Sequence, residues 1–289
     1  MTNLVINPVA FHLGNLSVKW YGIIMAVAIM LACWMAINEG KKRQIIPDDF
    51  VDLLLWAVPL GYVGARIYYV IFEWGYYSQH PEQIIAIWNG GIAIYGGLIA
   101  GLIVLLIFCY KRMLPPFLML DIIAPGVMAA QIWGRWGNFV NQEAHGAPTT
   151  LHFLQSLHLP QFIIEQMKIG GTYYQPTFLY ESFFNLIGLI LILSLRHKKH
   201  LFKQGEVFMT YLLWYSVVRF FVEGMRTDSL YIFGIIRVSQ ALSLILFIAT
   251  IILWIYRRKV VNPKWYLDGS GLKYPYSCLL YTSPSPRDR

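Results

Sequence analysis

Arg219, Glu223 and Arg226 stand at positions i, i+4 and i+7 of one stretch, with Tyr215 one turn earlier. A helix there carries all four on one face. Two arginines to one carboxylate leave a surplus positive charge, and two readings fit. One is an intrahelical ion-pair ladder at a helix end. The other is an anion site, in which the planar guanidinium fork grips a phosphate bidentately and Glu223 orients an arginine. A second concentration of polar groups runs Gly134-Arg135-Trp136-Gly137-Asn138-Phe139-Val140-Asn141-Gln142-Glu143-Ala144-His145-Gly146, so dense that packing alone does not explain it. Arg135 and Arg219 could flank one phosphate. Glycines mark a third place, Trp88-Asn89-Gly90-Gly91-Ile92-Ala93-Ile94-Tyr95-Gly96-Gly97, where a ligand or a neighbouring backbone approaches closely. Gly97 and Gly101 also form a small-xxx-small packing pair.

The elements that must hold these residues are membrane spans. Of the 289 residues, 57% are apolar and 13% charged, whereas soluble domains are about a quarter charged. The 19 Tyr and 10 Trp suit side chains held at two membrane interfaces. This composition excludes a soluble domain and a disordered chain. Seven stretches, at about 20–38, 53–72, 88–110, 114–134, 177–195, 207–226 and 238–256, approach the roughly 20 apolar residues of a spanning helix. The expected fold is an all-α polytopic membrane protein of about seven transmembrane helices with a small extracytoplasmic head. That head is expected at about 137–175, within a membrane domain covering 1–277. Residues 278–289, CLLYTSPSPRDR, differ in composition and resemble translated adaptor read-through, so they are expected to be a non-native tail.

Orientation follows from where Lys and Arg gather. They cluster after the first, third, fifth and seventh stretches, at Lys41–Arg43, Lys111–Arg112, Arg196–Lys203 and Arg257–Lys259, while the 137–175 segment has only Lys168. The N-terminus is expected outside and the C-terminus in the cytoplasm. The net charge of +8 is therefore mostly a topology signal. It does not point to nucleic acid, which needs basic residues on one soluble face. Under this topology Arg66, Arg135, Glu181, Arg219, Glu223 and Arg226 all fall in the outer half, and only Asp121 on the inner side. Four outer arginines oppose the positive-inside bias, and an anionic ligand at that depth accounts for them. Cys33, Cys109 and Cys278 make no disulfide or zinc pattern. His12, His80, His152, His158, His197 and His200 show no ligand spacing, so neither metal nor cofactor is expected.

The run GRWGNFVNQEAHG resembles the signature of the prolipoprotein diacylglyceryl transferase family. The likeness extends in order through Trp20-Tyr21-Gly22, Gly64-Ala65-Arg66, the Gly-Gly motif before the third stretch, Gln175-Pro176-Thr177-Phe178-Leu179-Tyr180-Glu181, and Arg219 to Arg226. It covers roughly residues 10 to 260. The resemblance implies a seven-span bacterial plasma-membrane enzyme whose site faces outward. Such an enzyme moves the diacylglyceryl group of phosphatidylglycerol onto the lipobox cysteine thiol of a preprolipoprotein signal peptide, forming a thioether and releasing glycerol 1-phosphate. Its partners are then that lipid, that peptide and the bilayer. It also implies that Arg135 and Arg219 hold the lipid phosphate, that Asn138, Glu143 and Gly146 shape the site, and that Tyr21, Glu223 and Arg226 support it.

One position departs from the family. Members often carry His before the Gly-Gly at the start of the third stretch, where this chain has Tyr95. A phenol with a pKa near 10 is a poor base at neutral pH, whereas imidazole suits that task. Tyr95 is expected to position the thiol or phosphate, with His145 and Glu143 as the other candidate bases. A transporter of an anionic substrate is the alternative reading, since intramembrane charges also line substrate paths. Seven spans do not divide into two equal repeats, which counts against it. An intramembrane hydrolase would need a GxSxG or HExxH motif, and the chain has neither.

Overall fold

The computed structural model describes residues 5–14, 16–226, 231–232 and 236–270; the tail expected at 278–289 lies outside the described residues. Along them run β1 (Val9–Leu13), β2 (Leu16–Lys19), α1 (Trp20–Lys42), α2 (Pro47–Phe72), α3 (Trp74–Tyr77), α4 (Ile94–Lys111), α5 (Pro116–Asn141), β3 (Pro148–Thr149), α6 (Leu151–Ser156), α7 (Gln161–Gln166), β4 (Lys168–Ile169), β5 (Thr172–Tyr174), α8 (Thr177–Leu195), α9 (Glu206–Met225), β6 (Tyr231–Ile232), β7 (Ile236–Arg237) and α10 (Val238–Tyr256). Seven long helices among the described residues occupy the seven apolar stretches. Six of them are long and apolar enough to cross a membrane. The exception is α9, whose Glu206, Arg219 and Glu223 dilute its apolar run. The chain is an all-α polytopic membrane protein.

Three helix ends depart from the apolar pattern, each for a local reason. α2 begins at Pro47, ahead of the apolar run. Proline suits the first helical turn, where an N–H has no partner anyway, and Asp48 and Asp49 complement the positive end of the helix. α4 begins at Ile94, because Gly90 and Gly91 take φ of +85° and +73°, left-handed values that a right-handed helix cannot continue through. α5 runs on to Asn141, so half of the polar run at 134–146 is helical. The segment expected to leave the helix at 137 leaves it at 142.

The described residues form two compact units, one within 1–35 and 120–269, the other within 36–119 together with Ser270. In the second unit α2 and α4 meet backbone to backbone. A Cβ on Gly64 would lie 2.3 Å from Ala100 Cβ and 2.9 Å from Gly96 O. This is the close small-residue crossing favoured between membrane helices. Of the small-xxx-small pair on α4, Gly97 faces the Gly61 carbonyl of α2, whereas a Cβ on Gly101 would meet nothing within 4 Å among the described residues.

In the first unit α5, α8 and α9 are laced by side-chain bonds. Ser182 Oγ donates to Ile132 O at 3.2 Å, Gln131 Nε2 to Tyr211 Oη at 2.9 Å, and Trp214 Nε1 to Phe184 O at 2.9 Å. Asp121, the one inner-side charge of the sequence pattern, is fully buried. It accepts from Gly205 N at 2.5 Å and Phe208 N at 2.8 Å, supplying acceptors to the first turn of α9, where a helix leaves its N–H groups unpaired. Its role is that of a cap delivered from another helix.

Residues 142–176 form the small head. A three-stranded antiparallel sheet of order β3-β5-β4 and helices α6 and α7 enclose Leu154, Ile163, Ile164 and Met167. These pack with Phe139 and Val140 of α5 and Phe178 of α8. Gln166 ties the head down. Fully buried, it accepts from Ile6 N at 2.8 Å and donates to Val140 O at 3.0 Å, a carbonyl in the last turn of α5.

Candidate active site

Three helices of the first unit bring charge to one place. Arg135 Nη2 of α5 lies 2.7 Å from Glu181 Oε1 of α8, and Arg219 Nη1 of α9 lies 3.7 Å from Glu181 Oε2. Arg219 Nη2 is 2.6 Å from Glu223 Oε2, which is 4.0 Å from Arg226 Nη1. The bond from Ser182 to Ile132 explains the meeting of α5 and α8. It fixes the register one residue from Glu181 and one turn from Arg135, so the two must face each other.

Burial is unequal across this centre. The Glu181 and Glu223 side chains are 3% and 4% exposed, those of Arg219 and Arg226 15%, and that of Arg135 23%. The carboxylates lie deep and the guanidiniums keep some surface. Among these five groups the charge sums to +1. Arg219 Nη1 makes no hydrogen bond among the described residues, although buried polar atoms in folded proteins nearly always find a partner. The intrahelical ion-pair ladder of the sequence reading is present. Ion pairing keeps buried charges tolerable, and the unequal count leaves a positive field in a medium that screens it weakly.

The polar run after Arg135 wraps toward the same helix ends. Glu143 N donates to Asn138 O at 3.0 Å, and both residues line a cavity of about 10 Å³ with His145, Gln142, Met167 and Thr177. His145 Nδ1 is 3.2 Å from Gly146 O. A carbonyl only accepts, so Nδ1 is the donor in this contact. Gly146 N donates to Gln175 O at 3.0 Å, and Gly146 also bridges antiparallel to Arg226. A Cβ there would come within 2.9 Å of Gln175 Cβ and 3.2 Å of Met225 O, so the close passage beside the end of α9 requires glycine. The Tyr21 ring lies on α5 at Gly137, where a Cβ would be 2.6 Å from Tyr21 Cδ2. Tyr215 stands one turn from Arg219, its ring 6.1 Å from that of Tyr211.

The structure thus joins Arg135, Glu181, Arg219, Glu223, Arg226 and Gly146 by direct contact, and holds Tyr21, Asn138, Glu143, His145 and Tyr215 in the same unit. Arg66 and Tyr95 belong to the other unit. Tyr95 sits in the first turn of α4, half-buried, its ring 6.5 Å from Tyr68. Arg66, expected beside the anion, has its guanidinium taken up by backbone. Nε donates to Ile84 O at 2.9 Å, Nη1 to Gly90 O and Gly91 O at 2.7 and 2.6 Å, and Nη2 to Gln83 O at 2.6 Å. The buried charge organises the loop before α4, because four carbonyl dipoles satisfy it there.

Arg237 escaped the sequence reading. Its Nη1 donates to Glu223 O, within the centre itself. The available signal was its place directly before an apolar stretch on the outer side, where the topology again disfavours a cation.

Fold and site together define a class: a multi-pass membrane protein with a buried, paired arginine–carboxylate centre of net positive charge. The family follows from the sequence. Residues 8–256 match the profile of prolipoprotein diacylglyceryl transferase, and the chain belongs to that family. It is 91% identical over 277 residues to the phosphatidylglycerol–prolipoprotein diacylglyceryl transferase of Lactobacillus acidophilus, an alignment covering 96% of this chain and 99% of the relative. The enzyme of that name from Lactobacillus johnsonii is 78% identical, covering 95% and 99%. That of Pediococcus pentosaceus is 58% identical, covering 92% and 96%.

The carbonyl cage of Arg66 has a measurable consequence. Arg66→Met should make residues 83–91 more sensitive to limited proteolysis in detergent, while Arg66→Lys protects them only in part, since an ammonium offers fewer donors in a different geometry. Cleavage maps indistinguishable from wild type in both variants would show that the cage does not hold the loop.

Proposed function

We propose that this chain transfers the diacylglyceryl group of phosphatidylglycerol to the lipobox cysteine of preprolipoproteins, releasing glycerol 1-phosphate, in a bacterial plasma membrane. The observation that carries the proposal is the net-positive centre of Arg135, Glu181, Arg219, Glu223 and Arg226, in a chain so close to relatives bearing that name. The sulfur attacks the glycerol carbon that bears the phosphate ester, the C–S bond forms, and the C–O bond breaks with its electron pair going to the phosphate oxygen. The thiol proton leaves through a base and ends on phosphate or solvent. A thiol with pKa about 8.5 needs modest help to ionise, so the larger demand is stabilising the departing phosphate. Preorganised guanidiniums do this as an oxyanion hole does.

In this reading Arg135 and Arg219 hold the phosphate, with Glu181 and Glu223 orienting them. Asn138, Glu143 and Gly146 shape the site, and Tyr21, Tyr215 and Arg226 support it. The sequence reading gives Tyr95 a positioning role for the thiol or phosphate, and His145 and Glu143 are the candidate bases. Residues 1–277 act as one transferase domain, to which 278–289 add nothing. The Lys and Arg distribution supports an outside N-terminus and a cytoplasmic C-terminus. A cysteine at position 155 should then label with an impermeant reagent in intact cells and one at position 199 should not; the reverse pattern would invert the topology.

Incubating a lipobox peptide with phosphatidylglycerol and membranes containing this chain should add the mass of one diacylglyceryl group. Arg135→Ala and Arg219→Ala should each cut transfer about tenfold to a hundredfold at normal protein levels, the loss expected for one charge-assisted hydrogen bond of roughly 1.5–3 kcal/mol. The lysine variants should recover only part of it. Near-normal transfer by Arg219→Ala would refute the phosphate assignment.

Tyr95→Phe should slow transfer substantially and Tyr95→His should keep it, since imidazole can both donate and accept. A general-base Tyr95 would instead give a pH–rate limb that moves when the residue becomes His. Full activity of Tyr95→Phe would take Tyr95 out of the mechanism.

A further inference from the structure

Arg237 stands where β7 passes into α10, and none of the roles above uses it. Its Nη1 donates to the Glu223 carbonyl. Three residues on, Gln240 Nε2 donates to the Phe220 carbonyl at 3.1 Å. The acceptors on α9 are also three residues apart, so the two bonds are successive rungs between one face of each helix. Gly224 leaves room for both, because a Cβ there would lie 3.2 Å from Gln240 Nε2 and 4.0 Å from Arg237 Nη1. The Glu223 carbonyl also accepts from Arg226 N at 3.2 Å, so the guanidinium is a second and charged donor to it at the end of the helix. A cation at this end also meets the negative pole of the helix. The turn held in this way is the one whose Glu223 carboxylate lies between Arg219 and Arg226.

We infer that Arg237 is a positioning residue for the phosphate site: by gripping the Glu223 carbonyl it fixes the Glu223 carboxylate, and through that carboxylate the Arg219 guanidinium. The inference rests on the diacylglyceryl-transfer reading and adds to it a residue at the entry to a fourth helix. Arg237 acts through α9 and is assigned no contact with the lipid. Gln240 is the second rung of the same clamp, neutral and one turn farther from Glu223, so its loss should matter less.

The test is a double-variant cycle on the full-length protein in phosphatidylglycerol-containing nanodiscs. It reads apparent KM for the lipid, kcat and melting temperature. Arg237→Met should raise KM about tenfold, as loss of a hydrogen bond from a charged donor does, with a smaller change in kcat and an unchanged melting temperature. Arg237→Lys should recover most of the loss, and Gln240→Met should show a weaker form of it. On a Glu223→Gln background, Arg237→Met should add little, because the carboxylate through which it acts is already gone. Equal penalties on both backgrounds, or a loss that follows the melting temperature and is the same for Lys as for Met, would overturn the inference. A wild-type protein that transfers nothing would remove the parent reading, and this inference with it.

Discussion

A carboxylate inside a membrane-spanning bundle must be paired, and the Glu181 side chain is where this protein meets that requirement. It lies between Arg135 of α5 and Arg219 of α9, so one buried anion specifies how three helices face one another. Removing a single partner from such a set leaves an uncompensated charge, far costlier than never having had the set. The apolar surfaces of these helices could slide or rotate against each other at little cost, since lipid and leucine are nearly equivalent neighbours. The ion pairs and the few side-chain bonds beside them, from Ser182, Gln131 and Trp214, remove that freedom. Packing supplies the contact, and the polar groups select the register.

The same arrangement layers the centre. The two carboxylates are more deeply buried than the three guanidiniums, so the cluster is held together from below. The head is joined to this platform by neutral bonds: Gln166 to the last turn of α5, and Thr177 of α8 to the Ala144 carbonyl. Charge is concentrated at this centre, and neutral hydrogen bonds hold the head in place.

The spans were legible from apolar runs alone, and the arginine centre from a contradiction, cations where the topology disfavours them. The spacing of Arg219, Glu223 and Arg226 placed one face of α9 because periodicity along a helix is a local property. Partners across helices were not legible, since no spacing within α8 says that Glu181 meets Arg135. Backbone acceptors were hidden for a deeper reason: every residue has a carbonyl, so nothing in the sequence marks those that took Arg66 and Arg237 as partners. Asp121 was misleading in the same way, because its partners are two N–H groups of α9. Gly96 announced a close approach, but only the crossing of α2 and α4 shows that Gly64 is what approaches.

The composition of α9 bears on how the protein is made. A helix that carries three charges and falls short of the apolarity of its neighbours is a poor candidate to leave the translocation channel for lipid alone, since each charge near the bilayer centre penalises insertion. The chain order eases this. Synthesis delivers α8 before α9, so the carboxylate that neutralises Arg219 is already present when the arginine arrives, and Asp121 of α5 is present to receive the first turn of α9. Biogenesis and the ligand centre thus draw on the same contacts, which makes the order of the helices along the chain part of the design of the site.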